Sequence, residues 1–392
     1  MWIVQSMWIH IKLRPILRSG GGSMATAVAA RAGGLEGVEV GETALSLVDG
    51  EHGRLVLCGH DVEALAGRVG FEDVAGLLLD GRLPDPARRQ AIRAALGAGR
   101  AAAFERLAAD PAPLRTGVAM DALRAGVARL EEAAEPLAAF GALAGAIAAI
   151  GAAWSRARAG LGPLVPDPAA PHARDLLRLI TGSADDERAA ALDAYLVTVS
   201  DHGVNASTFA ARVVASTRSD AVSAVVAALG ALKGPLHGGA PGPVLDMLDA
   251  IGEPGRAAAW IEAELAAGRR IMGMGHRVYR VRDPRAAVLE AATTRLERAG
   301  VAAGRLALAR AAEAAAEAAL ARRHPGRALR ANVEFYTAVL LDAIGLPREL
   351  FTAVFAAGRV AGWLAHVEEQ RREGRLIRPS VRYVGVVDAG GR

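Results

Sequence analysis

Three histidines stand in polar, glycine-containing breaks between helical stretches: His202 in SDHGVNASTF, His237 in GPLHGGAPGP and His276 in IMGMGHRVYRVRDPR. Glycines beside an imidazole let a ligand approach the main chain closely and leave peptide N–H groups free for anions. His52 and His60 also have glycine neighbours, so that feature alone discriminates weakly. A carboxylate joins them: Glu334 sits in NVEFYTAVLL between Val333 and Phe335. Burying its charged form is costly, so either it faces solvent or the fold needs it. Taken alone, an acid in a helix's first turn is ordinary dipole chemistry. Arg280, Arg282 and Arg285 follow His276, and Arg359 and Arg378 come later. Imidazoles and carboxylates move protons, and guanidinium forks grip carboxylates and phosphates. The MGMGHRVYR segment lacks the spacing and the Lys-Ser/Thr ending of a P-loop, yet its backbone can wrap a nucleotide-like cofactor. No histidine pair has i, i+3 or i, i+4 spacing and no HExxH occurs, which argues against a zinc site.

The elements that must position these groups are helical. Hydrophobic residues are 52% and aromatics only 4%, with Ala, Leu and Val dominant, a composition for closely packed helices. A chain of 392 residues exceeds the size at which one core stops growing, so two domains are expected. The pI of 9.7 reflects arginine, since Lys12 and Lys233 are the only lysines. The net charge is +4 and no basic run carries interleaved aromatics, so no nucleic-acid partner is expected. Cys58 is alone, which excludes an intramolecular disulfide. TALSLVDGEHGRLVLC (43–58) reads as the one β-hairpin. Beyond it, helices are expected at 61–80, 86–98, 101–109, 114–132, 136–158, 173–182, 185–200 and 206–231, then, past a hinge at KGPLHGGAPGP, at 244–251, 256–267, 284–299, 304–323, 334–343 and 347–371. The uncharged stretch 136–154 is mainly Ala and Gly and reads as a buried or subunit-contacting helix. With no other long apolar segment seen, no membrane partner is expected and the location is cytoplasmic. Residues 1–23 do not read as a signal peptide, and Met24 is the expected start.

Five motifs, DHGVNASTFAARVVAST, GPLHGGAPGPVLDML, MGMGHRVYRVRDPRA, NVEFYTAVLLDAIGLP and GRVAGWLAHVEEQ...RLIRPSVRYVG, resemble the citrate synthase family in order and spacing, over about 34–385. The resemblance implies an all-α, two-domain fold with one small N-terminal β-hairpin. It places an N-terminal extension at 1–33, a large domain at 34–237 and 346–392, and a smaller mobile domain at 238–345. It implies condensation of acetyl-CoA with oxaloacetate and hydrolysis of the thioester, with no permanently bound cofactor. By the same similarity His237 donates to the thioester oxygen, Glu334 takes the methyl proton and His276 polarises the ketone. His202, Arg285, Arg359 and Arg378 hold the dicarboxylate, Arg378 reaching into the partner's site of a homodimer. CoA lies against Met272, Gly273, Met274 and Gly275, with Arg280 and Asn332 as further contacts.

Two positions depart from the common pattern. Glu334 stands where Asp is usual, one methylene longer, and Pro241 replaces the Asn of GGAN. The combination resembles a divergent bacterial branch of second citrate synthases. Three readings stay open: citrate synthase, 2-methylcitrate synthase using propionyl-CoA, and a catalytically weak protein that binds CoA thioesters or dicarboxylates.

Overall fold

The computed structural model describes residues 35, 38–238, 241–301, 305–381 and 383–385. The expected extension 1–33 and the start at Met24 lie outside them. The chain forms two compact units, Met1–Glu42 and Thr43–Arg392. In the first, Val38 N donates to Leu35 O. The secondary-structure elements and the site residues all lie in the second.

The expected hairpin is present and carries a third strand. β1 (Ser46–Asp49) pairs antiparallel with β2 (Arg54–Leu57), and β2 with the two-residue β3 (His60–Asp61). The rest is helical. Asp85, Asp185, Asn205, Asp220, Asp283 and Asn332 each cap a helix by accepting backbone N–H bonds through the side chain. Such caps satisfy donors that no intrahelical carbonyl reaches. Two of the six, Asp283 and Asn332, stand two residues before Arg285 and Glu334.

Where two helices were expected at 86–98 and 101–109, one helix runs unbroken over Pro86–Ala109. Its glycines are a crossing, not a break. It lies against the Pro136–Arg158 helix so closely that a Cβ on Gly99 would fall 1.9 Å from Gly141 O, and one on Gly145 would fall 2.5 Å from Arg100 N. Buried beside this crossing, Arg100 binds Asp175 and the carbonyls of Asp167 and Ala170, pinning the proline-rich 161–173 loop. The segment expected as one helix at 61–80 divides into Val62–Leu65 and Phe71–Asp80, and the one at 114–132 into the 3-10 turn Ala112–Arg115 and Ala119–Val127.

The Pro136–Arg158 helix is long and apolar enough to cross a bilayer, and so, against expectation, is Arg348–Arg372. Both lie inside the protein, with 83% and 94% of their apolar windows buried. Phe351–Glu373 is the central helix, packing on Asp186–Val199, Ala206–Ser216 and Pro136–Arg158. Its inward face carries Arg359, Trp363 and His366, all buried. The functional residues gather around this helix.

Candidate functional site

The segment following His276 folds back so that Val278 N and Tyr279 N both donate to His276 Nδ1, at 3.0 and 3.1 Å. An Nδ1 that accepts twice carries no proton, so neutral His276 is protonated on Nε2. Burial, then the charge of Arg285, lowers its pKa to about 4. It is therefore a neutral Nε2–H donor at pH 7. Arg285 Nη2 lies 3.4 Å from that nitrogen. Two donors facing one another do not bond; an oxygen set between them would accept from both. Arg285 itself is held by Asp283, Nε on Oδ1 at 3.0 Å and Nη2 on Oδ2 at 2.7 Å.

His202 joins this pair. Its Nε2 is 3.2 Å from Tyr279 Oη, and its ring stands edge-on to His276 with centroids 5.5 Å apart. Burial and the nearby Arg285 and Arg359 hold it neutral, well below the usual imidazole range. Arg359 comes from the central helix: Nε donates to Val199 O at 2.5 Å, while Nη2 is buried with no hydrogen-bond partner among the described residues. Burial, chiefly, lowers its pKa to about 10, so it stays charged.

Glu334 opens the Val333–Ala343 helix. Asn332 caps that helix by accepting from Glu334 N at 3.0 Å, and its amide donates to Gly275 O at 2.8 Å. Asn332 N donates to Gly273 O, and Gly275 N to Arg330 O. The 272–275 loop is thus clipped to the start of the helix. Gly273 and Gly275 have φ of +73° and +85°, and a Cβ on Gly273 would fall 2.9 Å from Phe335 Cβ. Oε2 of Glu334 is buried without a hydrogen-bond partner among the described residues. Loss of hydration, helped by Asp283 and opposed by Arg285 and Arg359, raises Glu334 to about 7. That value suits a base that must recover its proton-accepting form near neutrality.

His237 is reached from another side. Its Nε2 is 2.8 Å from Ser207 Oγ, which accepts from Trp363 Nε1–H at 3.1 Å and lies 2.8 Å from Asn205 Oδ1. Burial, then Arg359, lowers His237 to about 4. The charge of Arg359 lowers the pKa of His202, His237 and Glu334 alike.

The single chain does not gather every expected residue. Arg378 is exposed and donates to the adjacent Pro379 carbonyl. Arg280 is exposed, with its main-chain N–H on Gly50 O. Sequence reasoning missed Asp283, Tyr279, Ser207 and Asp201. Asp283 was findable, since Asp-Pro is the pattern of an N-cap followed by an N1 proline. Its Oδ2 also accepts from Val333 N at 3.2 Å, so one carboxylate positions both Arg285 and the helix of Glu334.

Comparison with known proteins identifies what the whole chain resembles. The family model described as citrate synthase, C-terminal domain, matches residues 34–380. A protein of Mycobacterium tuberculosis named "Putative citrate synthase 2" is 39% identical over 368 residues, covering 90% of this chain and 92% of its own. The citrate synthase of Haloferax volcanii is 37% identical, covering 91% and 96%. The 2-methylcitrate synthase of Mycobacterium tuberculosis is 36% identical, covering 90% of each. Among solved structures, Thermotoga maritima citrate synthase superposes with a TM-score of 0.78 at 33% identity, covering 92% of this chain and 97% of that one. The Thermoplasma acidophilum enzyme, solved as a ternary complex with carboxymethyl coenzyme A and oxaloacetate, gives 0.79 at 28% identity, covering 91% and 98%.

Proposed function

The chain belongs to the citrate synthase family, whose members are acyltransferases that convert the acyl group to alkyl on transfer, and we propose that it condenses acetyl-CoA with oxaloacetate and hydrolyses the resulting thioester. The observation that carries this reading is Glu334: a carboxylate raised to about 7, in a site where the nearby histidines are neutral. A methyl proton is a difficult one to remove. Moving the base from 4.5 to about 7 makes the transfer about 3 kcal/mol less unfavourable. His237 supplies the rest by donating to the thioester oxygen as charge develops on it, a contribution typically worth about 3 to 4 kcal/mol. With Nε2 on Ser207, the donating nitrogen is Nδ1, which requires the Ser207 proton to point at His237 and not at Asn205. The carbanion then attacks the ketone of oxaloacetate, whose oxygen accepts from His276 Nε2–H. Arg285 and Arg359 take the carboxylates, beside His202. Asp283 pairs directly with Arg285, whereas Nη2 of Arg359 has no hydrogen-bond partner among the described residues.

Arg378 completes the clamp from the partner of a homodimer; in its own chain its Nη1 donates to the adjacent Pro379 carbonyl, and among the described residues it has no hydrogen bond to the site. CoA lies along 272–275, with the exposed side chain of Arg280 meeting a phosphate. Residues 238–345 form a smaller domain that closes over both substrates. Thr352 Oγ1 donates to Gly238 O at 2.7 Å, a contact at the proposed boundary.

A second reading, 2-methylcitrate synthase, is favoured by the 36% identical relative of that name. The two substrates differ by one methylene, which a pocket separates only weakly. The test is release of free thiol from acetyl-CoA and from propionyl-CoA with oxaloacetate, for wild type and Glu334→Gln. Preferential release from acetyl-CoA, lost in Glu334→Gln, supports the first reading. Release from neither thioester sinks both, and a fully active Glu334→Gln removes Glu334 as the base.

A further inference from the structure

Beneath the His202 turn lies a buried polar assembly that the proposed chemistry does not use. Asp201 is fully buried, and its Oδ2 accepts from Ser46 Oγ at 2.5 Å and from Gly203 N at 3.2 Å. Ser46, the first residue of β1, also accepts from Gly203 N, at 2.9 Å. The peptide immediately after His202 is thus shared between a carboxylate and a serine from the sheet.

From the opposite side comes His366, fully buried on the central helix. Its Nδ1 is 3.1 Å from Arg212 Nη1. A guanidinium only donates, so Nδ1 accepts and the ring proton is on Nε2, which lies 3.4 Å from Asp201 Oδ2. Arg212 is in turn fixed by Glu369 Oε2 at 2.5 Å and Gln370 Oε1 at 3.0 Å. The other oxygen of Glu369 accepts from Ala44 N at 2.9 Å, two residues before Ser46. Gly362 brings the helix this near: its N donates to Ser200 O at 3.0 Å, and a Cβ there would fall 2.5 Å from Asp201 Oδ1. Burial opposes the Asp201 charge, but His366, Arg359 and Ser46 outweigh it and keep the carboxylate ionised.

The same sheet reaches the other histidine loop. Arg280 N donates to Gly50 O at 2.8 Å, and a Cβ on Gly50 would fall 2.3 Å from Val278 O. The turn of the hairpin is therefore seated against the segment whose N–H groups fix the His276 tautomer.

We propose that Asp201, held by Ser46 and His366, is the positioning residue for His202, and that the small sheet is thereby a working part of the dicarboxylate site. This rests on the reading of His202 as a dicarboxylate ligand. Small displacements of a group that meets the substrate cost up to about a hundredfold, whereas the 272–275 loop is clipped by Asn332 and, among the described residues, has no hydrogen bond to Asp201, Ser46 or His366.

Steady-state thiol release on the full chain tests it, with Ser46→Ala, Asp201→Asn, His366→Leu, His366→Gln and His202→Ala. Ser46→Ala should raise KM for oxaloacetate about threefold to tenfold, and Asp201→Asn and His366→Leu by about tenfold to a hundredfold. KM for acetyl-CoA should stay within about twofold. His366→Gln, which returns an N–H near the Nε2 position, should recover most of the loss, which a merely packing role would not predict. If His366→Leu fails to fold, Ser46→Ala on the sheet decides alone. Equal shifts in both KM values, no shift in either, or no rescue by Gln overturns the proposal. An oxaloacetate KM unmoved by His202→Ala overturns the underlying reading, and this proposal with it.

Discussion

Replacing Glu334 by Gln should make the protein more stable, and increasingly so as pH rises. The folded pKa of about 7 lies above the ordinary value of 4.5, so between these values the native state holds a proton that the unfolded chain has released. Native stability accordingly falls as pH climbs through that window, and the whole deficit is present above about 7. The span of roughly 2.5 pKa units corresponds to about 3 kcal/mol. Gln mimics the protonated acid and carries no such deficit. For a chain this long, 1 kcal/mol moves the melting temperature by roughly 1 °C. Calorimetric scans of the two proteins should therefore differ by no more than about 1 °C at pH 5 and by about 4 °C at pH 8.5, Gln melting higher. A gap that does not change with pH, or a lower melting temperature for Gln at pH 8.5, would refute the claim that loss of hydration raises Glu334. The same experiment in a variant without Arg359 should widen the gap, because Arg359 partly supports the charge.

Activity should follow the same ionisation: kcat/KM rises about tenfold from pH 6 to pH 8, with a single apparent pKa near 7, because His237 and His276 titrate far lower, near 4. Gly362→Ala, a change that usually stabilises a helix by about 1 kcal/mol, should here cost at least about 2 kcal/mol in chemical unfolding, since the new Cβ would lie 2.4 Å from Ser200 O. If Arg378 serves the neighbouring site, mixing inactive Arg378→Ala with inactive Glu334→Gln and allowing subunits to exchange should restore about a quarter of wild-type activity. No recovery after proven exchange would place Arg378 in its own subunit's site.

Much of this site could be read from the chain because its groups fall where local rules apply. His202 and His276 lie in glycine-marked breaks, and Asn332 and Asp283 hold N-cap positions that also fix the backbone of Glu334 and Arg285. The contacts that could not be read join distant segments. Arg212 meets Gln370 across 158 positions, and Ser46 meets Asp201 across 155. Nothing in either neighbourhood announces the other. Glycine also misled, because the same residue permits a chain break and a close helix crossing, and only the opposing surface tells them apart. The central helix escaped notice as an apolar span because Arg359, His366 and Glu369 interrupt it, and each turns out to be a buried, partnered group or a site residue.

The helix crossing has a consequence for how mutational data on this protein would read. At Gly99, Gly141 and Gly145 the nearest atoms that a Cβ would strike belong to the main chain of the opposing helix, and main chain cannot rotate away. Saturation mutagenesis should find these three positions as intolerant as Glu334 or His276. A ranking by tolerance alone would then draw a second functional centre between Pro86–Ala109 and Pro136–Arg158. Abundance measured beside activity would dissolve it, because variants at the crossing would disappear from the folded pool, whereas those at Glu334 would accumulate and do nothing.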